Sequence, residues 1–398
     1  MRAPLKTRVA GIVVAAFVAG PVVAGPGPDH HRSQALWASP TGSGTACTAA
    51  APCSLGYAID GAPSGATVRA QSGTYHTSII IYTPLNLVGE GNVVLDASTS
   101  GLVPGIQILA SGSSVSHLTV ENAYYEGILV GNSSSDASGS PIIDVTIDHV
   151  TVRGSDAGYN GSPGAGTGEC FTATSPHAAP GDCGEGIHLN SAKYSVVEHS
   201  RVEGNAGGIL LTDEFGANSN NHIAYNIVVN NTHDCGITLA SHNEPGVAPP
   251  TSYGVFDNTV EYNMVDGNGV EGQGGGILMA GGGPNTQVYG NKVTHNQASG
   301  NGLAGVVIHL HVPGSNLNDN VITYNRLSNN NLDGDDDFSP NVDSRTTDIL
   351  VASTVPLQGT VIEHNQLSDA YYGVWLLNAT DSTIGHNQFS NVTTGIGP

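Results

Sequence analysis

The chain has 398 residues, with 33 Asp and Glu against 11 Lys and Arg, giving a formal net charge of -22. Such a surface repels phosphate backbones and anionic headgroups, so nucleic acid and membrane are expected to be poor partners. The 54 glycines and scarce helical periodicity argue for short strands ending in tight turns, because Gly and Asn enter the αL region most cheaply.

In chain order, Arg2, Lys6 and Arg8 precede an almost wholly apolar stretch from Val9 to Val23, and Val22-Val23-Ala24 offers small residues for cleavage. This is the layout of an export leader over 1–24. Residues 25–36, rich in Pro and His, are expected to be a disordered mature terminus. Losing the leader makes the protein more negative still. Export permits disulfides, and Cys47 and Cys53 enclose a loop small enough to expect their pairing. Cys170, Cys183 and Cys235 cannot all pair among themselves; Cys170–Cys183 is the local choice and Cys183–Cys235 the alternative. No Cys-x-x-Cys occurs, which speaks against a redox dithiol or a zinc knuckle.

Residues 37–64 are expected to form an entry strand and a cap. Ser54 to Ala62 alone has short helical apolar spacing, at Leu55, Ala58, Ile59 and Ala62, with Ser54 as N-cap. A helix there would cover the open end of the strand-rich region that begins at residue 65.

From 65 to 398 the chain rewrites two phrases. Gly186-Ile187-His188-Leu189 returns at Gly208, Gly236 and Gly276, and more loosely at Gly127 and Gly373. Between these lies a second phrase, seen as Ile223-Ala224-Tyr225-Asn226-Ile227-Val228, Val260-Glu261-Tyr262-Asn263-Met264-Val265 and Ile322-Thr323-Tyr324-Asn325-Arg326-Leu327. Repeats of this length, built from short strands, predict a solenoid. The Gly-Ile starts are 22, 28 and 40 residues apart, about one bare coil and then coils with inserted loops. Insertions are expected over 155–182, 243–252, 266–273 and 329–347. Alternation points Ile187 and Leu189 inward and His188 and Asn190 outward. The Asn of the second phrase breaks this alternation, as if the chain bends there and the amide turns inward. Asn226, Asn263, Asn291, Asn325, Asn365 and Asn387 are expected to stack as one hydrogen-bonded ladder.

The Asn-x-(Val/Ile/Leu)-x-x-Asn/Asp pattern, together with the opening Ala38-Ser39-Pro40, Cys47, Pro52-Cys53-Ser54-Leu55 and Gly73-Thr74-Tyr75, resembles the repeat of the pectate-lyase-like superfamily. The resemblance covers roughly 37–398 and implies an all-β fold, a right-handed parallel β-helix with a short N-terminal cap helix. Members resembling the chain include polysaccharide lyases, glycoside hydrolases, uronate epimerases, phage tailspikes and adhesins, so the repeat does not select the chemistry.

Aligning the coils collects polar residues on one face. The first outward column holds His188 and Thr238, the next Asn190 and His309, and the strand ends bring Asp213, Glu214, His242, Glu244 and His311. Paired carboxylates supply acid and base for glycosidic cleavage, and like charges at short range raise one pKa. Asp213 and Glu214 are the expected pair, with Glu244, Asp182 and Glu185 as alternatives for the second carboxylate. His188 and His242 would position or exchange protons. Trp375, Tyr371 and Tyr372 are expected to stack on sugar, and Thr238 and Asn190 to contact it. His309-Leu310-His311 has the i/i+2 spacing of a sheet-built zinc or copper site, with His242 completing the set. The acidic turn with Asp333, Asp335 and Asp337 offers oxygen ligands to Ca2+. An elimination on a uronate needs a cation for the substrate carboxylate, and Lys193, Arg201, Arg153 and Arg326 all fall outside the proposed columns.

The expected function is a secreted, monomeric enzyme hydrolysing glycosidic bonds of a polysaccharide or oligosaccharide. The alternatives are a polysaccharide lyase or uronate epimerase, a non-catalytic glycan-binding β-helix, and a metal-dependent enzyme with a His/carboxylate site. No organic cofactor is expected.

Overall fold

The structure, a computed structural model, describes residues 35–101, 103–131, 141–155, 184–243, 248, 251–271, 274–310, 314–333 and 345–397. The expected leader, and residues 25–34 of the expected disordered terminus, lie outside the described residues, as do Cys170 and Cys183.

Every pairing between the named strands is parallel and joins one coil to the next. The Gly-Ile phrase forms one arm of the coil, where Ile79, Ile106, Ile128, Ile187, Ile209, Ile237, Ile277, Val306, Ile349, Val374 and Ile396 stand in register. Two further arms carry the second phrase. One runs through Val196–Glu198, His222–Ala224 and Thr259–Glu261, the other through Arg201–Glu203, Ile227–Val229 and Met264–Asp266. A small five-stranded sheet, including Asn218–Ser219 and Val255–Phe256, joins the first arm to the second. The inward columns of Ile, Val and Leu merge into one core along the solenoid. Full burial of each such side chain contributes about 1.5–3 kcal/mol.

The N-terminal end is covered as expected. Helix Leu55–Asp60 begins at Ser54, whose hydroxyl accepts the Tyr57 N–H at 3.3 Å, and it buries Leu55, Ala58 and Ile59. Cys47 and Cys53 form a disulfide. Cys235 is a buried free thiol that accepts the Gly275 N–H, and burial with the Asp234 charge pushes its pKa up.

The corners are more ordered than one ladder. Three Asn ladders run along the solenoid. The first passes through Asn221, Asn258, Asn291 and Asn320. The second passes through Asn226, Asn263, Asn296, Asn325, Asn365 and Asn387. The third, Asn205, Asn231, Asn268, Asn301 and Asn330, ends on Asp348. Asn291 therefore belongs to a different corner from Asn226, and Asn296 takes the rung expected of it. Each amide satisfies the backbone where the chain turns: Asn226 donates to the Val197 carbonyl at 2.9 Å, and Asn263 accepts the Asn226 N–H at 3.0 Å. The residue before each second-ladder rung, and those before Leu118, Val150 and Ser200 at the same corner of earlier coils, make the bend with φ between 48° and 59°. These residues are rings, His117, His149, His199, Tyr225, Tyr262, His295, Tyr324, His364 and His386, stacked into a continuous external column.

Candidate active site

Side chains gather where the Gly-Ile arm ends. Strands Glu185–Asn190, Gly207–Thr212 and Ile237–Ser241 lie side by side, with His188 beside Leu129 and Leu210. The outward face of this arm is covered rather than open: Leu129, Leu210, Val307 and Leu350 are all buried. A histidine in that column is thus flanked by hydrocarbon on both neighbouring strands and must find polar partners before or beyond those positions.

It does so through a run of side-chain contacts. His188 Nδ1 faces Glu126 Oε1 at 3.5 Å, and its Nε2 lies 2.8 Å from Thr212 Oγ1. The Thr212 hydroxyl donates to Glu214 Oε2, and Glu214 Oε1 meets His242 Nδ1 at 3.1 Å. With the threonine proton given to Glu214, His188 must donate from Nε2 to the threonine oxygen. Glu214 is 8% exposed and His188 4%. Burial by itself would raise the Glu214 pKa, but the His242 hydrogen bond and the charges of His242 and His188 outweigh it and hold the carboxyl below its ordinary value. Glu214 is accordingly the ionised carboxylate of the site.

Asp213 departs from its expected role. It is fully buried, and both oxygens are occupied: Oδ1 accepts the His242 N–H at 2.7 Å, and Oδ2 accepts the Ser241 hydroxyl at 2.9 Å and the Gly254 N–H at 2.5 Å. Burial pushes its pKa up to about 6 against the His242 N–H, with the Glu214 charge adding to the rise. Burial of Asp213 and the imidazoles around Glu214 drive the two carboxylates apart, and Asp213 clamps the turn that carries His242 and has no surface for substrate. Gly282 completes that setting, since a Cβ there would lie 2.9 Å from His242 Cδ2.

Other expected site residues lie elsewhere. Trp375 is 3% exposed and packs with Leu303, Val307 and Leu350, so it fills a core instead of offering a ring face. Its coil is also five steps beyond that of Leu210, about 24 Å at the usual strand spacing. Tyr372 packs on the same cluster, and Tyr371 lies under the Arg345 guanidinium at 4.0 Å. Asn190 is buried and accepts the Ser191 hydroxyl, while half-buried Thr238 hydrogen-bonds the Cys235 thiol. His309 is buried and stands in register two coils past Ala240. Among the described residues, clusters with three closely spaced metal-ligand side chains include neither His309 nor His242. His311, Glu244, Asp182, Asp335 and Asp337 lie outside the described residues. Asp333 is described, with burial raising its pKa.

Two members of the run are harder to find from sequence. Glu126 precedes Gly127-Ile128 as Glu185 precedes Gly186-Ile187, a recurrence that could have marked it. Thr212 shares an outward column with Asn190 and His309, but the bridging geometry of a hydroxyl leaves no mark in sequence.

In-register coils, inward Asn ladders and a polar run at one strand end define a solenoid of the parallel β-helix class. A family profile described as "Right handed beta helix region" matches residues 104–293. The chain has the fold of a right-handed parallel β-helix. No curated protein matches it by sequence. Among solved structures it is similar to pectate lyase Pel9A, with 15% identity and a TM-score of 0.50 over 83% of this chain and 79% of that one. It is also similar to the alginate lyase from Paenibacillus sp. str. FPU-7, at 13% identity and a TM-score of 0.50 over 89% and 99%. The GH136 lacto-N-biosidase from Eubacterium ramulus matches at 12% identity and a TM-score of 0.51, over 90% and 68%. At such identities the likeness shows the fold.

Proposed function

We infer that the protein is a secreted carbohydrate-active enzyme that hydrolyses glycosidic bonds of a polysaccharide or oligosaccharide. The observation that carries this reading is the Glu214–His242 pair, an ionised buried carboxylate holding the imidazole that is the more exposed of the two, at 20% of its side chain. Accepting from Nδ1–H fixes the tautomer and leaves proton exchange with the leaving oxygen to Nε2. Asp213 holds the His242 backbone in place, and Glu126, His188 and Thr212 hold Glu214 from behind. The second carboxylate, which would activate water, is Glu244, two residues past His242 in sequence.

Supporting observations are the disulfide, which suits an oxidising compartment, and a fold shared with proteins whose names declare action on glycans. Elimination on a uronate is the weaker reading. Arg201 and Arg326 lie in one row on another arm, and Arg153 and Arg201 are already paired with Glu121 and Glu203. Lys193 sits in the small sheet.

Incubation with neutral and uronic polymers tests the proposal. Hydrolysis yields new reducing ends without unsaturation, whereas a lyase product carries a double bond, conjugated to the uronate carboxylate, that adds a new ultraviolet absorption band. Reducing ends that persist unchanged in Glu214→Gln would overturn the assignment of Glu214, and bound glycan released intact would make the protein a binder.

A further inference from the structure

The external ring column lies at the corner between the other two arms, away from the arm that carries Glu214. Most of its central rungs are tyrosines, whereas consecutive histidines occur at its ends. At the N-terminal end, His149 and His199 stack with centroids 4.9 Å apart, and each follows a carboxylate, Asp148 and Glu198. The central rungs Tyr225 and Tyr324 follow Ala224 and Thr323, while Tyr262 follows Glu261. At His149 and His199 an imidazole pair and two acidic neighbours fall together.

The geometry is that of a ligand set. Asp148 Oδ1 lies 2.6 Å from His149 Nδ1 and 3.2 Å from His199 Nδ1, and Glu198 Oε2 lies 3.8 Å from His199 Nδ1. Ligand atoms around a tetrahedral zinc stand about 3.3 Å apart. Asp148, Glu198 and His199 each place a ligand atom within 4.8 Å of the others, as do His117, Asp148 and His149, so Asp148 is common to both rings and side-chain rotation about it brings the second imidazole in. Both rings are about half exposed, so an ion reaches them from solvent. Mixed imidazole and carboxylate donors select a transition metal of the Zn2+ or Cu2+ type over Ca2+.

We propose that Asp148, His149, Glu198 and His199 form a surface site for one divalent transition-metal ion that staples two adjacent coils. The two coils are joined by the longest interval in the ring column, 50 residues from His149 to His199. A cross-link between their rungs limits fraying where the connecting chain is longest.

Titration of the full chain with ZnCl2, followed by calorimetry and thermal unfolding, tests the site, with Cu2+ electron paramagnetic resonance reporting the donor atoms. The proposal expects one Zn2+ equivalent that raises the melting temperature, and a copper spectrum with two imidazole nitrogens. His149→Gln/His199→Gln should abolish that equivalent. Asp148→Asn, which keeps both rings and the stack, should weaken it about tenfold or more. Absence of saturable Zn2+ binding by the wild type overturns the site. Stoichiometry and spectrum unchanged in both variants, which would place the ion elsewhere, overturn it equally.

Discussion

Glu214 and Asp213 are neighbours in sequence with opposite environments, and their variants should fail in opposite ways. Glu214→Gln keeps the shape but removes the charge that orients His242, and turnover should fall about 10²–10⁴-fold while the circular dichroism spectrum stays native. Asp213→Ala strands the His242 and Gly254 N–H groups and the Ser241 hydroxyl, each costing about 1–3 kcal/mol when left unpaired inside the protein. Its melting temperature should drop sharply in a thermal scan. Gly282→Ala is subtler: the added methyl meets the His242 ring at 2.9 Å, so activity should fall while the circular dichroism spectrum stays native. If Gly282→Ala is fully active, the ring position matters less than the account requires.

Among the elements, the Asn ladders carry much of the fold's specificity. Asn263 accepts the N–H and amide of Asn226, and donates to the Ile223 carbonyl and to Asn296. Asn263→Ala therefore leaves several buried groups unpaired, and urea unfolding should show a loss of about 3 kcal/mol or more. The third ladder ends differently. Asp348 accepts Asn330 Nδ2 at 3.2 Å and the Ser368 N–H at 2.9 Å, and burial, aided by the Asp369 charge, pushes its pKa up to about 7. Between the ordinary carboxylate value and that pH, the native state holds a proton that the unfolded chain has lost. This contribution therefore declines as pH rises through the window, by about 1.4 kcal/mol per unit at most. Asp348→Asn should flatten the difference in stability between pH 4 and pH 7; an unchanged slope would show that Asp348 ionises normally.

The arms and cap were legible because burial writes itself as period-two alternation, and Ser54 with Leu55, Ala58 and Ile59 marks a helix by spacing alone. The ladders were half legible. One Asn column was visible, but Asn291 and Asn296 are only five residues apart, and which corner each occupies depends on the coil's cross-section. The site was legible as a neighbourhood: Glu214, His242 and His188 align on the repeat. Their roles were not, because the burial of Asp213 and Trp375 is set by what packs over them.

At the scale of the whole molecule, the net charge of -22 sets an expectation about substrates. Repulsion of a polyanion is screened as salt rises, so any uronic polymer accepted by the enzyme should show a KM that falls with ionic strength, whereas a neutral glycan should not. A uronic polymer whose KM rises with salt would point to a local basic patch.

The central claim, that Glu214 and His242 drive hydrolysis of a glycan, is tested most directly by digesting the best substrate of the polymer panel in water enriched in oxygen-18. Mass spectrometry of the fragments should show one heavy oxygen per bond cleaved by the wild type and almost no cleavage by Glu214→Gln. Fragments that carry no heavy oxygen, or equal cleavage by the two proteins, would contradict it.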